Sequence, residues 1–118
     1  MIPVLSKELY PSTELTAAQT LVGEWVDVDR YTELIAWLNV TAFAAWADET
    51  LIVTIEREAR NTLGYVPVLT FTTVASTGAK SEEKSATSLI GNRIRYRIVT
   101  AGTWTAKSVT FNIGLMAK

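Results

Sequence analysis

The chain has 118 residues, 48% hydrophobic and 19% charged, with 11 basic and 12 acidic side chains and a formal net charge of -1. This fits one domain that buries roughly two thirds of the surface its unfolded chain exposes, and the charge balance argues against a general phosphate-backbone binder. There is no cysteine and no histidine, which removes disulfides, thiol nucleophiles, zinc sites with Cys or His ligands, and every Ser-His or Cys-His arrangement.

Residues 1–14 carry Pro3 and Pro11 and alternate weakly, the pattern of an N-terminal arm or edge strand. Residues 15–118 read as a single sandwich domain. The opening residues lack the basic start and long apolar run of a secretory signal, and no apolar stretch approaches about 18 residues, so no membrane span is expected. Leu15 to Val22 and Glu24 to Val28 form two short strand patterns broken at Gly23. Asp27 and Asp29 follow at a polar turn without the further oxygen ligands a calcium loop needs, so no metal site is expected.

Tyr31 to Thr41 is the longest strand pattern. Leu34, Ala36, Leu38 and Val40 make its core row, while Ile35 and Trp37 share the opposite row with Tyr31, Glu33 and Asn39. Such large apolar side chains on the outward row fit packing beneath a loop or against another subunit. The run Ala42 to Ala47, which contains Phe43 and Trp46, is apolar where a connection is normally polar. It reads either as an intramolecular cap over the core or as a loop tucked into a subunit contact.

Leu51 to Glu58 points Leu51, Val53 and Ile55 inward and Ile52, Thr54 and Glu56 outward. A charged tip ends at Gly64, and Tyr65 to Val74 is strand-like with Pro67 placing it at an edge or bulge. Ala75 to Ala86 is polar and reads as a loop, and Thr87 to Ile90 leads through a Gly91-Asn92 turn. In Arg93 to Ile98 the arginines take one face and the large apolar residues the other; Val109, Phe111, Ile113 and Leu115 alternate in the same way. The two runs predict a hairpin about Ala101-Gly102. The whole is an all-β, antiparallel β-sandwich of about 7–8 strands, jelly-roll-like.

Chemistry is sparse. Glu56 and Glu58 share a strand face and Glu82 and Glu83 lie in a polar segment, but neither pair has the opposed placement across a cleft that glycoside hydrolysis uses. No glycine-rich phosphate cradle is present. No catalytic residue, metal or cofactor is therefore assigned, and the chain reads as a non-enzyme. Arg93, Arg95 and Arg97 repel one another unless acidic groups lie near. Ion pairs with Glu56 or Glu58, a protein interface, and contact with nucleic acid or sugar all remain open for them. Val99 and Trp104 would extend that face as an apolar end. The four tryptophans, Trp25, Trp37, Trp46 and Trp104, admit sugar stacking as well as core or interface packing.

The runs Arg30-Tyr31-Thr32-Glu33-Leu34, Leu38-Asn39-Val40-Thr41-Ala42, Leu51-Ile52-Val53-Thr54-Ile55-Glu56 and Gly91-Asn92-Arg93-Ile94-Arg95-Tyr96 resemble those of small phage structural proteins. Ala101-Gly102-Thr103-Trp104 and Ser108-Val109-Thr110-Phe111 add to the likeness, which covers most of residues 20–115. The apolar Phe43 to Trp46 departs from the glycine- and serine-rich connection of that group. The resemblance implies a single β-sandwich on the outer capsid surface of a virion, a decoration or cement protein that binds the major capsid protein, commonly as a homotrimer. With the charge balance and the lack of a long apolar run, no direct nucleic-acid or membrane contact is expected. Ile35, Trp37, Phe43, Trp46, Arg93, Arg95, Arg97 and Trp104 are the expected partner or oligomer interface. The alternative is a carbohydrate- or receptor-binding module of a phage tail.

Overall fold

A computed structural model describes residues 4–44, 46–59, 64–75, 81–87 and 93–118. Its strands are β1 (Leu5–Leu15), β2 (Thr20–Val22), β3 (Val26–Asp27), β4 (Leu34–Ala44), β5 (Thr50–Glu58), β6 (Tyr65–Thr70), β7 (Ser81–Ala86), β8 (Arg93–Ala101) and β9 (Ser108–Ala117). One sheet of four strands runs β1-β9-β4-β7, and the other, of five, runs β2-β8-β5-β6 with β3 also on β8. They are called here the β9 sheet and the β8 sheet. β2 and β3 pair with successive parts of β8, Leu21 opposite Ile98 and Val26 opposite Ile94, so they form one edge strand interrupted around Gly23.

All the pairings are antiparallel. Apart from β2 to β3 and the β5-β6 pair, every connection passes from one sheet to the other. That is the winding of a jelly roll, the expected fold class, in which each sheet covers the apolar face of the other.

The predicted hairpin does not form. β8 and β9 lie in different sheets, and the segment Gly102–Lys107 crosses between them. Both alternating runs are strands with their apolar rows buried, but the rows face each other across the core. Ile94 and Ile98 come from one side and Val109, Phe111, Ile113 and Leu115 from the other, all fully buried. Alternation specifies which face of a strand is inward and carries no information on which strand is its neighbour.

Two further segments differ from the sequence reading. Ser81–Ala86, predicted as loop, is an edge strand on β4. Its inward positions are Glu82, Lys84 and Ala86, opposite Leu38, Ala36 and Leu34, so charged side chains sit where a core row would stand. Inward charges blunt an edge strand against unwanted pairing, and here they hide the alternation that identifies strands. Residues 42–44, predicted as connection, continue β4, with Phe43 opposite Val109. The turn at Gly91-Asn92 lies outside the described residues.

β1 is an edge strand of the β9 sheet rather than a free arm, and its register shifts twice, between Glu8 and Tyr10 and between Tyr10 and Thr13. Pro11 sits in the second irregularity, consistent with its missing donor. Leu34, Ala36, Leu51, Val53 and Ile55 are fully buried beside Leu38 and Val40, and each large aliphatic among them contributes about 1.5–3 kcal/mol through burial. Tyr10 stacks on Phe111 at 5.0 Å and meets Tyr96 edge-on at 5.4 Å.

One end of the sandwich is closed by Trp46 and Trp104, whose rings meet edge to face at 5.2 Å. Trp46 Nε1 donates to the Ser108 carbonyl at 2.9 Å and Trp104 Nε1 to the Ala101 carbonyl at 3.0 Å, which satisfies both indoles inside the chain. Glu49, buried beside them, accepts from the Ala47 N–H at 2.7 Å and pairs with Lys107 at 3.6 Å. Gly102 makes this corner possible. Its φ is +105°, and a Cβ there would meet Glu49 Cα at 2.8 Å and the Asp48 carbonyl oxygen at 2.9 Å. Gly102→Ala therefore combines left-handed strain with a backbone clash that no rotamer relieves; a loss of about 2–4 kcal/mol in urea unfolding is expected.

Candidate interaction surfaces

The outer face of the β8 sheet is ordered around Glu56. Parity places Glu56 outward on β5, yet its side chain is fully buried because neighbours cover it. Arg95 is opposite it on β8 and its Nε donates to Glu56 Oε1 at 2.9 Å; Arg97 Nε donates to both carboxylate oxygens at 3.2 Å. Arg93 pairs with Glu58 at the exposed end. The ion pairs weighed from the sequence are thus present, and the carboxylates offset the repulsion along the arginine row.

Aromatic rings flank this row on both sides. The Arg95 guanidinium carbon lies 4.2 Å from the Trp25 ring centroid, and that of Arg97 lies 4.1 Å from Tyr65. Arg93 also approaches Trp25, at 5.3 Å. Cation–π contacts of this kind contribute about 0.5–2 kcal/mol each, more as water is excluded. Between the described side chains, Arg95 and Arg97 make hydrogen bonds only through Nε, so their terminal nitrogens remain as donors for a partner. Tyr65 is 46% exposed and Val22, at the far edge, 41%. No sequence pattern assigns Trp25 and Tyr65 to this face, since they come from the approach to β3 and from β6, and only the strand order brings them beside the arginines.

The opposite face belongs to the β9 sheet. Trp37 stands between Glu83 on β7 and Gly114 on β9; Asn39 pairs with Asn112 and Ser81, and Ile35 with Met116 and Ser85. An added Cβ at Gly114 would lie 2.2 Å from Trp37 Cε2 and Cζ2, so the indole lies across the glycine backbone. Trp37 and Ile35 are half-buried. A shallow depression of about 300 Å³ runs beside Trp37, Asn39, Ser81 and Glu83.

Two smaller features lie elsewhere among the described residues. A cleft of about 260 Å³ opens between the sheets, lined by Lys7, Leu9, Glu24, Trp25, Val26 and Tyr96. Burial pushes the Tyr96 hydroxyl up from its ordinary value, and the nearby Glu24 charge adds to this. Across the β7 edge, Glu82 accepts from the Thr72 hydroxyl at 2.6 Å and from its N–H at 2.7 Å, tying the two sheets together. The hydroxyl bond, chiefly, holds the Glu82 carboxyl below its ordinary value. A lowered folded-state value contributes stability that is fully present above the ordinary glutamate value and is lost as the pH falls from there through the lowered one. The solvent-exposed pair limits this to about 0.5–1 kcal/mol. Thr72→Val is expected to remove that part of the acid limb in a pH series of urea midpoints.

The eight residues expected at an interface do not form one patch. Arg93, Arg95 and Arg97 are on one face and Ile35 and Trp37 on the other. Trp46 and Trp104 are 9% and 8% exposed and belong to the core end, so they are corrected from surface to interior. Trp104 therefore does not extend the arginine face; Val99 does, opposite Ile52. The Phe43 side chain lies outside the described residues. Asp27 and Asp29 form a local turn, with the Asp29 N–H donating to Asp27 Oδ1 at 3.0 Å.

No protein-family model matches the chain, and no curated protein matches it. Among solved structures, the K3 cleaved adhesin domain of Lys-gingipain from Porphyromonas gingivalis w83 is similar at a TM-score of 0.48 and 14% identity, over 98% of this chain and 74% of that chain.

Proposed function

We propose that this jelly roll is a non-catalytic decoration protein of a phage capsid, docking on the major capsid protein through the outer face of the β8 sheet. The observation that carries the docking assignment is the guanidinium–aromatic layer over buried Glu56. Arg, Tyr and Trp are the side chains in which binding energy concentrates at protein interfaces. Here they are already held by one another, so little side-chain freedom is lost when a partner covers them. Acidic and carbonyl acceptors on a shell surface fit the remaining guanidinium donors. The likeness of the strand sequences to small phage structural proteins supports the choice of shell as partner, and a trimer is the assembly that this likeness implies.

Co-sedimentation with expanded, undecorated shells tests the reading. Wild-type protein is expected to pellet with shells at a fixed stoichiometry, and Tyr65→Ala to weaken binding about tenfold or more while remaining folded. Protein left in the supernatant at every concentration contradicts it. The alternative, a carbohydrate- or receptor-binding module, draws on a feature of the opposite face, the half-buried Trp37 indole.

A further inference from the structure

We infer that the outer face of the β9 sheet carries a binding subsite for a neutral pyranose ring, with the Trp37 indole as its floor. This site stands independently of the docking assignment, because the two faces point in opposite directions and occupation of one leaves the other free.

The floor is built by a glycine. Any side chain at position 114 would meet the indole, so Gly114 lets the ring lie across the backbone of β9 and hold one orientation. A half-buried, fixed indole offers an apolar plate at little entropic cost, and the C–H face of a pyranose is its natural complement. The polar surroundings have the matching chemistry. The Ser81 hydroxyl donates to Asn39 Oδ1 at 2.7 Å, which leaves the Asn39 NH₂ as a donor.

The Asn112 amide and the carboxylates of Glu8 and Glu83 make no side-chain hydrogen bond or ion pair with any described residue. Trp37 Nε1 also has no partner, and among the described residues every buried side-chain nitrogen or oxygen has one, so this N–H is open to solvent. Positions on neighbouring strands are about 5 Å apart, and positions two apart on one strand about 7 Å. Amide donors and carboxylate acceptors thus surround the plate on the scale of one sugar ring and its vicinal hydroxyls.

Charge sets the class. Glu83 on β7 and Glu8 on β1 flank the Trp37–Gly114 row from both sides. Two carboxylates repel uronic and sialic acids and accept hydrogen bonds from neutral hydroxyls or N-acetyl amides. The ligand is therefore a neutral hexose or N-acetylhexosamine chain, not an acidic glycan.

Titration of the full chain with cellohexaose, chitohexaose and hexagalacturonate, followed by indole emission, tests this. A saturable blue shift is expected with at least one neutral oligosaccharide, half-complete on the order of 1 mM or below. It should be absent with hexagalacturonate, and Trp37→Ala, followed by titration calorimetry because it lacks the reporting indole, should bind about tenfold or more weakly. If Trp37→Ala does not fold, the Asn39→Ala/Asn112→Ala variant, at an exposed and a half-buried position, carries the same comparison, with binding followed by the emission of the intact Trp37. The inference is overturned by a wild-type protein silent to both neutral chains, by equal binding of hexagalacturonate, or by binding unchanged in the variants. Failure here leaves shell binding untouched, and failure of shell binding leaves this titration unaffected.

Discussion

Glu56→Ala is expected to lower the unfolding free energy by about 3–5 kcal/mol, the range for removing one partner of a buried ion pair. The magnitude follows from geometry. Glu56 is fully buried, and Arg95 and Arg97, with side chains 20% and 22% exposed, both direct Nε at it. Without the carboxylate, two guanidiniums remain beneath Trp25 and Tyr65 with their mutual repulsion unrelieved. Glu56→Gln keeps the shape and an acceptor oxygen, so it should fall between wild type and Ala. A double-mutant cycle with Arg97→Ala should show strong coupling, since the residues share one network. Urea unfolding followed by circular dichroism reads all of these, and an Ala variant within about 0.5 kcal/mol of wild type contradicts the ladder.

Trp104→Ala carries the second large effect, about 3–5 kcal/mol, as for other buried aromatics cut to alanine. It decides between two places for the same residue. As a surface indole waiting for a partner, Trp104 could be removed with little change in the isolated chain. The structure instead sets it against Trp46 and bonds it to the Ala101 carbonyl. The loss should therefore appear at protein concentrations low enough to exclude association, and it should not vary with concentration. A near-neutral effect in dilute protein returns Trp104 to the surface.

The sequence made legible whatever depends on parity along one strand. Alternation predicts Leu34, Ala36, Leu38 and Val40, then Leu51, Val53 and Ile55, to point inward, and all are buried. The break at Gly23 was legible because two short strand patterns flank a glycine, and Gly23 lies against the Tyr96 ring, where a Cβ would sit 2.2 Å away. Strand order was not legible. Arg93 to Leu115 looks like a hairpin to any local rule, yet winding sends β8 and β9 to opposite sheets.

β7 was hidden for a different reason. Its inward positions hold Glu82 and Lys84, so the hydrophobic signal is missing where the edge needs protection. The interaction surfaces show the same division. The arginines and Glu56 were named from residue type and spacing, but the stacking of Trp25 and Tyr65 on them depends on elements distant in sequence. Trp46 and Trp104 show the converse: off the core rows, their indoles point to an interface by local rules, and only the crossing of chain at the corner encloses them.

The docking assignment is tested most directly by hydroxyl-radical footprinting of the protein free and bound to shells. Trp25 and Tyr65 should become protected from oxidation on binding, while Trp37, on the other side of the sandwich, keeps its free-state rate. Protection of Trp37 with Trp25 and Tyr65 unchanged would reverse the assignment and place the shell against the β9 sheet.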